Sequence, residues 1–229
     1  TDLLIGGDGN DVLDGGTGGT NVLKGGQGDD LYTVKVNDRV FENDGEGTDE
    51  VRTALNTYSF VDSSFGNLTY VENLRFTGSG DFTGTGNAED NLIFGGSGDD
   101  TLNGGDGSDT LFGGIGADTL NGESGDDLFI VGSDSRSDAG GFSRSVSSSL
   151  DDFASDTIDG GDDIDTLRFQ GTAANEVLQI HDGVSNIERI ELTGNRQNPG
   201  TTLALDADAS DYSGDASTWT VDVSDISGV

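Results

Sequence analysis

The sequence predicts an all-β fold assembled from a short repeat, and three observations carry that expectation. Glycine makes up 39 of 229 residues, far above the roughly 7 % of an average protein. The acids are 35 Asp against only 9 Glu. Asp suits turns and hard-cation coordination, whereas an acidic helical surface favours Glu. Finally, Gly and Asp recur together every nine residues, each time followed by an apolar residue. No helix is expected.

The repeat is densest between residues 95 and 130. Gly95-Gly96-Ser97-Gly98-Asp99-Asp100-Thr101-Leu102-Asn103 is followed without a gap by units starting at Gly104, Gly113 and Gly122. Glycine fills positions one, two and four at Gly104, Gly105 and Gly107, and again at Gly113, Gly114 and Gly116. The sixth position is Asp100, Asp109, Asp118 and Asp127; the eighth is Leu102, Leu111, Leu120 and Phe129. An N-terminal block keeps the frame in Gly6-Gly7-Asp8-Gly9-Asn10-Asp11 and Gly25-Gly26-Gln27-Gly28-Asp29-Asp30, with Asp2 and Leu4 as the tail of an earlier unit. Two weakened units carry Asn at the acid position: Asn21, with one residue inserted, and Asn91, with Glu89 in place of the fourth Gly.

The chemistry of such a unit follows from its residues. Glycines allow a tight turn with positive φ and aim carbonyl oxygens at one point. The Asp adds a carboxylate, and positions seven to nine make a three-residue strand with its middle side chain inward. An oxygen-only cage of flexible geometry suits Ca²⁺, while Mg²⁺ prefers to keep its waters. Zinc lacks ligands, because the chain has no Cys and a single His, His181. Net charge points the same way. At −34, the chain repels nucleic acid and anionic membranes, whose partners need clustered Lys and Arg. Leu, Ile, Val and Phe number 55 of 229, enough for a thin core only, so a cation is expected to complete the fold. No run reaches the ~18 apolar residues of a membrane helix, and no membrane insertion is expected.

This nonapeptide, Gly-Gly-x-Gly-x-Asp-x-apolar-x, resembles the repeats-in-toxin (RTX) family. The resemblance implies a right-handed parallel β-roll or β-helix solenoid in which two nonapeptides form one coil. Loops eighteen residues apart then stack with several Ca²⁺ ions between them. It places Asp100 and Asp118 on one edge and Asp109 and Asp127 on the other, with Asp11 and Asp30 sharing an edge. Backbone carbonyls at positions one to four complete each shell.

Between the dense blocks the frame is diluted. Gly45-Glu46-Gly47-Thr48-Asp49-Glu50-Val51 keeps it, and Asp38 with Val40 is a remnant. Tyr58, Phe60, Leu68, Tyr70, Leu74 and Phe76 alternate like strand residues, and this stretch reads as coils widened into longer strands. The organisation recurs late in the chain. Asp156 with Ile158 ends one unit, and Gly160-Gly161-Asp162-Asp163-Ile164-Asp165 is another. Asp49-x-Val51-Arg52 leading to Val71-x-Asn73-Leu74 parallels Asp165-x-Leu167-Arg168 leading to Val184-x-Asn186-Ile187. The expected domains are a roll over 1–131 with a widened stretch at 34–83, a Ser-rich excursion at 132–155, and a second RTX-like module over 156–229. With Asn186-Ile187-Glu188-Arg189-Ile190-Glu191-Leu192-Thr193-Gly194 followed by Thr201-Thr202-Leu203-Ala204-Leu205, the late copy resembles, over about residues 156–225, segments of very large RTX surface proteins and adhesins.

Catalytic signatures are absent. No Gly-x-Ser-x-Gly, P-loop or dinucleotide fingerprint occurs, and His181 reads as a loop or strand-end residue. Asp206-x-Asp208-x-Ser210-Asp211 is a polar loop, Trp219 a strand residue, and Arg52 and Arg168 partners of local carboxylates. The absence of Met and the start at Thr1 lead us to expect a fragment or a processed product. The expected function is that of a non-enzymatic, calcium-binding structural module in a secreted bacterial cell-surface protein of S-layer, adhesin or filament type. Its expected partners are further copies or neighbouring domains and, by family resemblance, type I export machinery. The alternative is the export and folding domain of a secreted hydrolase or toxin whose catalytic part lies elsewhere.

Overall fold

The computed structural model describes residues 1–132, 156–171, 177–180, 183–194, 202–205 and 220–222. Among these, paired strands run parallel throughout, and the only helical turn is a short 3-10 segment, Ser63–Phe65. The chain is an all-β solenoid. His181, Trp219, the Asp206–Asp211 loop and most of the Ser-rich 132–155 stretch lie outside the described residues.

One face is a single ten-stranded sheet. It runs from Val12–Asp14 through Leu31–Val34, Glu50–Thr53, Asn73–Phe76, Leu92–Ser97, Thr110–Ile115, Leu128–Gly132, Thr166–Gly171 and Arg189–Gly194 to Thr220–Asp222. The opposite face is in two pieces. Leu3–Asp8, Val22–Gln27, Arg39–Phe41 and Gly66–Asn67 form the first; Thr57–Ser59, Thr83–Thr85, Thr101–Asp106, Thr119–Ser124, Thr157–Asp162 and Val184–Ser185 form the second. A further pair, Val177–Ile180 with Thr202–Leu205, stands apart.

Strands in the dense block are six residues long rather than the three expected. Parallel pairing carries on through the glycine pair: Leu102 stands against Leu120, and Gly105 still stands against Glu123. Each strand therefore spans the end of one nonapeptide and the start of the next. The eighth-position residues stack in two files. Ile93, Leu111, Phe129 and Leu167 line one face, and Leu102, Leu120 and Ile158 the other, all essentially inaccessible. Each such burial contributes about 1.5–3 kcal/mol, and two files make a thin core.

The stretch from 54 to 72 corrects another expectation. It widens through an inserted turn and short strands, Thr57–Ser59 and Gly66–Asn67, and Tyr70 sits half-buried in a turn. Asp62 caps the turn by accepting from the Ser64 N–H at 2.8 Å. Aromatic rings fill the broader interior, with Tyr58 4.3 Å from Phe65 and Phe76 stacked at 4.6 Å on Phe82. The two wide copies also align differently from the sequence reading. Val51 stands opposite Leu74 and Leu167 opposite Ile190, so Asn73-Leu74 corresponds to Arg189-Ile190, three residues beyond Asn186-Ile187.

Candidate metal centre

Glycine serves two separate purposes in each loop. Gly105 and Gly107 have φ of 122° and 109°, backbone that a Cβ disfavours; the other second- and fourth-position glycines of the intact units share that sign. Where the sequence departs, the loop shape holds: Glu123 and Asp163 keep φ of 80° and 82°. First-position glycine instead leaves room. A Cβ on Gly104 would strike Asp109 Oδ2 and crowd the Gly122 carbonyl oxygen of the next coil. Gly95 faces Asp100 Oδ2 and the Gly113 oxygen, and Gly6 faces Asp11 Oδ2 and the Gly25 oxygen. Gly113 and Gly25 likewise front Asp118 Oδ2 and Asp30 Oδ2. A carboxylate and a carbonyl from stacked loops thus converge where the side chain is missing.

The acids form two ladders. On one edge the Asp11 N–H donates to Asp30 Oδ1 at 2.7 Å and the Asp30 N–H to Asp49 Oδ1 at 2.8 Å. Farther along, Asn91 donates to Asp109, Asp109 to Asp127 and Asp127 to Asp165, at 2.7–2.8 Å. On the other edge Phe82 donates to Asp100, Asp100 to Asp118 and Asp118 to Asp156, each at 2.9 Å. The edge assignment expected for Asp100, Asp109, Asp118 and Asp127 agrees with these bonds, as does the shared edge of Asp11 and Asp30.

The ladder bond runs to one oxygen of each accepting Asp. Oδ2 of Asp11, Asp30, Asp100, Asp109, Asp118, Asp127 and Asp165 is buried without a hydrogen-bond partner. Burial pushes Asp109, Asp127 and Asp165 up to about 7, helped by neighbouring acids such as Asp90, Asp109 and Asp127 respectively and opposed by the ladder N–H. Asp49 is likewise pushed to about 7 by burial and then by Glu72 and Asp30, and Asp30 is raised. These are groups that hold a proton or a cation more readily than they stand bare.

The ladder includes acids that the nonapeptide frame does not find. Asp49 donates to Glu72 Oε2 at 2.7 Å, and Asp165 to Glu188 Oε2 at 2.9 Å. Both Glu residues are followed two positions later by a buried apolar residue, Leu74 or Ile190, the acid-x-apolar signal with a longer acid. Glu42, buried with both oxygens unpartnered, carries no such signal. The weakened units differ in kind. Asn91 accepts from the Asn87 N–H at 2.7 Å and donates to Glu72 O, Val71 O and Asn87 Oδ1, so its amide satisfies the position internally. Asn21 donates to Gly15 O and Asp38 Oδ1. Arg52 and Arg168 pair with Glu50 and Glu191 as expected, at 2.7 and 2.6 Å.

No curated protein matches the chain. The family model of the RTX calcium-binding nonapeptide repeat matches residues 1–19, 16–31, 77–111, 85–120 and 103–135. These ranges cover the loops whose Asp oxygens are left unpartnered at Asp11, Asp30, Asp100, Asp109, Asp118 and Asp127. Residues 1–31 and 77–135 are thus RTX calcium-binding nonapeptide repeats wound as a β-roll, and such repeats bind Ca²⁺ at several sites.

Proposed function

We propose that this calcium-binding structural module belongs to a secreted bacterial cell-surface protein, folding and stiffening on Ca²⁺ outside the cell. One observation carries the reading: the row of buried carboxylate oxygens without partners. A buried polar group left unpaired costs about 1–3 kcal/mol, and more when charged. A stack of them cannot stay folded at neutral pH without cations. Each Ca²⁺ sits between loops one coil apart, held by Oδ2 of the sixth-position Asp and by first-position carbonyls. Asp49 and Asp156 extend the two rows. The organisation we infer is a roll over 1–131 continued by a second module over 156–229.

Affinity in the range of extracellular modules, about 10⁻⁴–10⁻³ M, leaves the chain unfolded at cytosolic calcium and able to pass a type I exporter. Circular dichroism tests the reading: a β-rich spectrum in millimolar CaCl₂ collapses in EGTA and returns with calcium. An unchanged spectrum in EGTA overturns it. Self-association through calcium bridged between acidic surfaces belongs to the same reading. Sedimentation velocity checks it, with larger species in CaCl₂ than in NaCl of equal ionic strength, because screening alone supplies no bridge.

A further inference from the structure

We propose that Asp30, Glu42 and Asp49 form a three-carboxylate Ca²⁺ site different in kind from the Gly-Asp loops, with Glu42 as a ligand that the repeat does not encode. The proposal rests on the reading that the stacked loops bind calcium, and it adds a ligand set.

Register locates Glu42. Val22 stands against Arg39 and Leu23 against Val40, which brings Glu42 opposite Gly25, the first position of its unit. At Gly6, Gly95, Gly104 and Gly113 that position has no side chain, because Asp Oδ2 lies where a Cβ would go. Here a glutamate occupies it. The local loop makes room: Asp49 follows Glu42 by seven residues, whereas Asp30 follows Gly25 by five. The side chain is directed inward, since Glu42 is 1 % exposed.

The geometry suits a hard divalent cation. One carboxylate oxygen from each of Asp30, Glu42 and Asp49 lies within 4.8 Å of the others. Oxygens bound to one Ca²⁺ at about 2.3–2.6 Å span no more than about 5 Å across the ion. Both Glu42 oxygens and Asp30 Oδ2 are buried and accept no hydrogen bond, and the Glu46 carboxyl lies beside Glu42. Among the described residues no Lys or Arg forms an ion pair with Glu42. Lys24 and Arg39, on adjacent strands, lie over the Phe41 ring instead, at 5.6 and 5.0 Å. A surface cavity whose lining includes Gly25, Gly26, Glu42, Asn43 and Glu46, with Lys24 as its one cation, gives an ion access. Three carboxylates outnumber the acids of a Gly-Asp loop, and calcium affinity rises with ligand charge. This site fills first.

The molecule carries its own reporter. The Tyr32 hydroxyl, which accepts from the Gly25 N–H at 2.6 Å, lies beside the same point of Gly25 as Asp30 Oδ2. Tb³⁺, a hard cation with calcium-like oxygen preference, should therefore show phenol-sensitised luminescence as the tightest site fills, reversed by Ca²⁺. Glu42→Gln should raise the midpoint of that first phase about tenfold or more and leave later phases in place. Asp109→Asn should do the converse. Tyr32→Phe, which keeps all three carboxylates, should remove most of the first-phase signal. Three results overturn the proposal: an unshifted first phase in Glu42→Gln, an undiminished one in Tyr32→Phe, or an extra or tighter bound ion in Glu42→Gly, which would make Glu42 a plug. Failure of the wild-type chain to bind calcium at any loop would instead sink the underlying functional reading.

Discussion

The block from 95 to 130 and the stretch from 54 to 91 share one sheet but settle their interiors by different means. In the block, loops keep a buried carboxylate oxygen unanswered, as at Asp109 and Asp127. In the stretch, Asn91 and Asn87 answer one another and the carbonyls of Leu68 and Val71. Aromatic rings fill the core there, and Arg75 sits 3.9 Å over Phe94 while bonding Glu50 at 3.1 Å. One region imports its positive charge; the other builds its hydrogen bonds from amides. Calcium dependence is therefore a property of individual loops, set by whether the sixth position is Asp or Asn, and it is not spread evenly along the solenoid.

The largest expected effect comes from removing calcium and changing pH together. In EGTA at neutral pH, amide exchange should lose protection across 95–130 before it does across 57–91. Protons can stand in for the metal. Asp49, Asp109, Asp127 and Asp165 sit near 7 in the metal-free fold, above roughly 3.9 in an unfolded chain. The folded state thus binds more protons, and that stabilisation is complete below about pH 4 and lost as pH rises through 7. Far-ultraviolet dichroism in EGTA should show more β structure at pH 5 than at pH 7.5. The same protons compete with calcium, so its binding midpoint should rise as pH falls.

Single substitutions sharpen the contrast. Asp109→Ala and Asp118→Ala each remove a buried carboxylate and a ladder acceptor, and should raise the calcium midpoint about tenfold or more. Asn91→Asp runs the comparison backwards. At calcium just sufficient to fold the chain it should cost about 1–3 kcal/mol by unpairing buried groups, read by denaturant unfolding, and lose much of that penalty as calcium rises further. Asp62→Ala, at an exposed turn cap outside the frame, should leave the calcium midpoint where it is. Equal shifts for Asp62, Asp109 and Asp118 would mean that bulk charge governs the response.

Much of this was legible in the residue order, because the repeat is a backbone device. A loop that needs positive φ at two positions and a bare first position can be written in few ways, and Gly6 to Asp11 or Gly104 to Asp109 spell it out. Parallel stacking then follows from two units per coil. Side-chain length hides the remainder. Asn186 stands opposite Gly160 with φ of 51°, and Glu188 follows it after a single residue. A shorter turn with a longer acid reaches the same ladder, which a fixed nine-residue frame cannot register. Glu72 escapes notice likewise. Glu42 is hidden for a different reason: its role depends on the residue opposite it one coil away, and nothing adjacent in sequence marks it.

The ladder has one wide step whose consequence is for the growth of such chains. Asp118 bonds Asp156 and Asp127 bonds Asp165 across 38 positions rather than 18, and the sheet pairs Leu128 with Thr166 in ordinary register. The spacing is twenty residues longer than in the dense block, and the next rung still forms. Doubling the length of a chain connection adds only about 0.6 kcal/mol of closure entropy, so added length at this point is thermodynamically cheap. The rungs on either side of the step from Gly132 to Asp156 therefore keep one register whatever length of chain joins them.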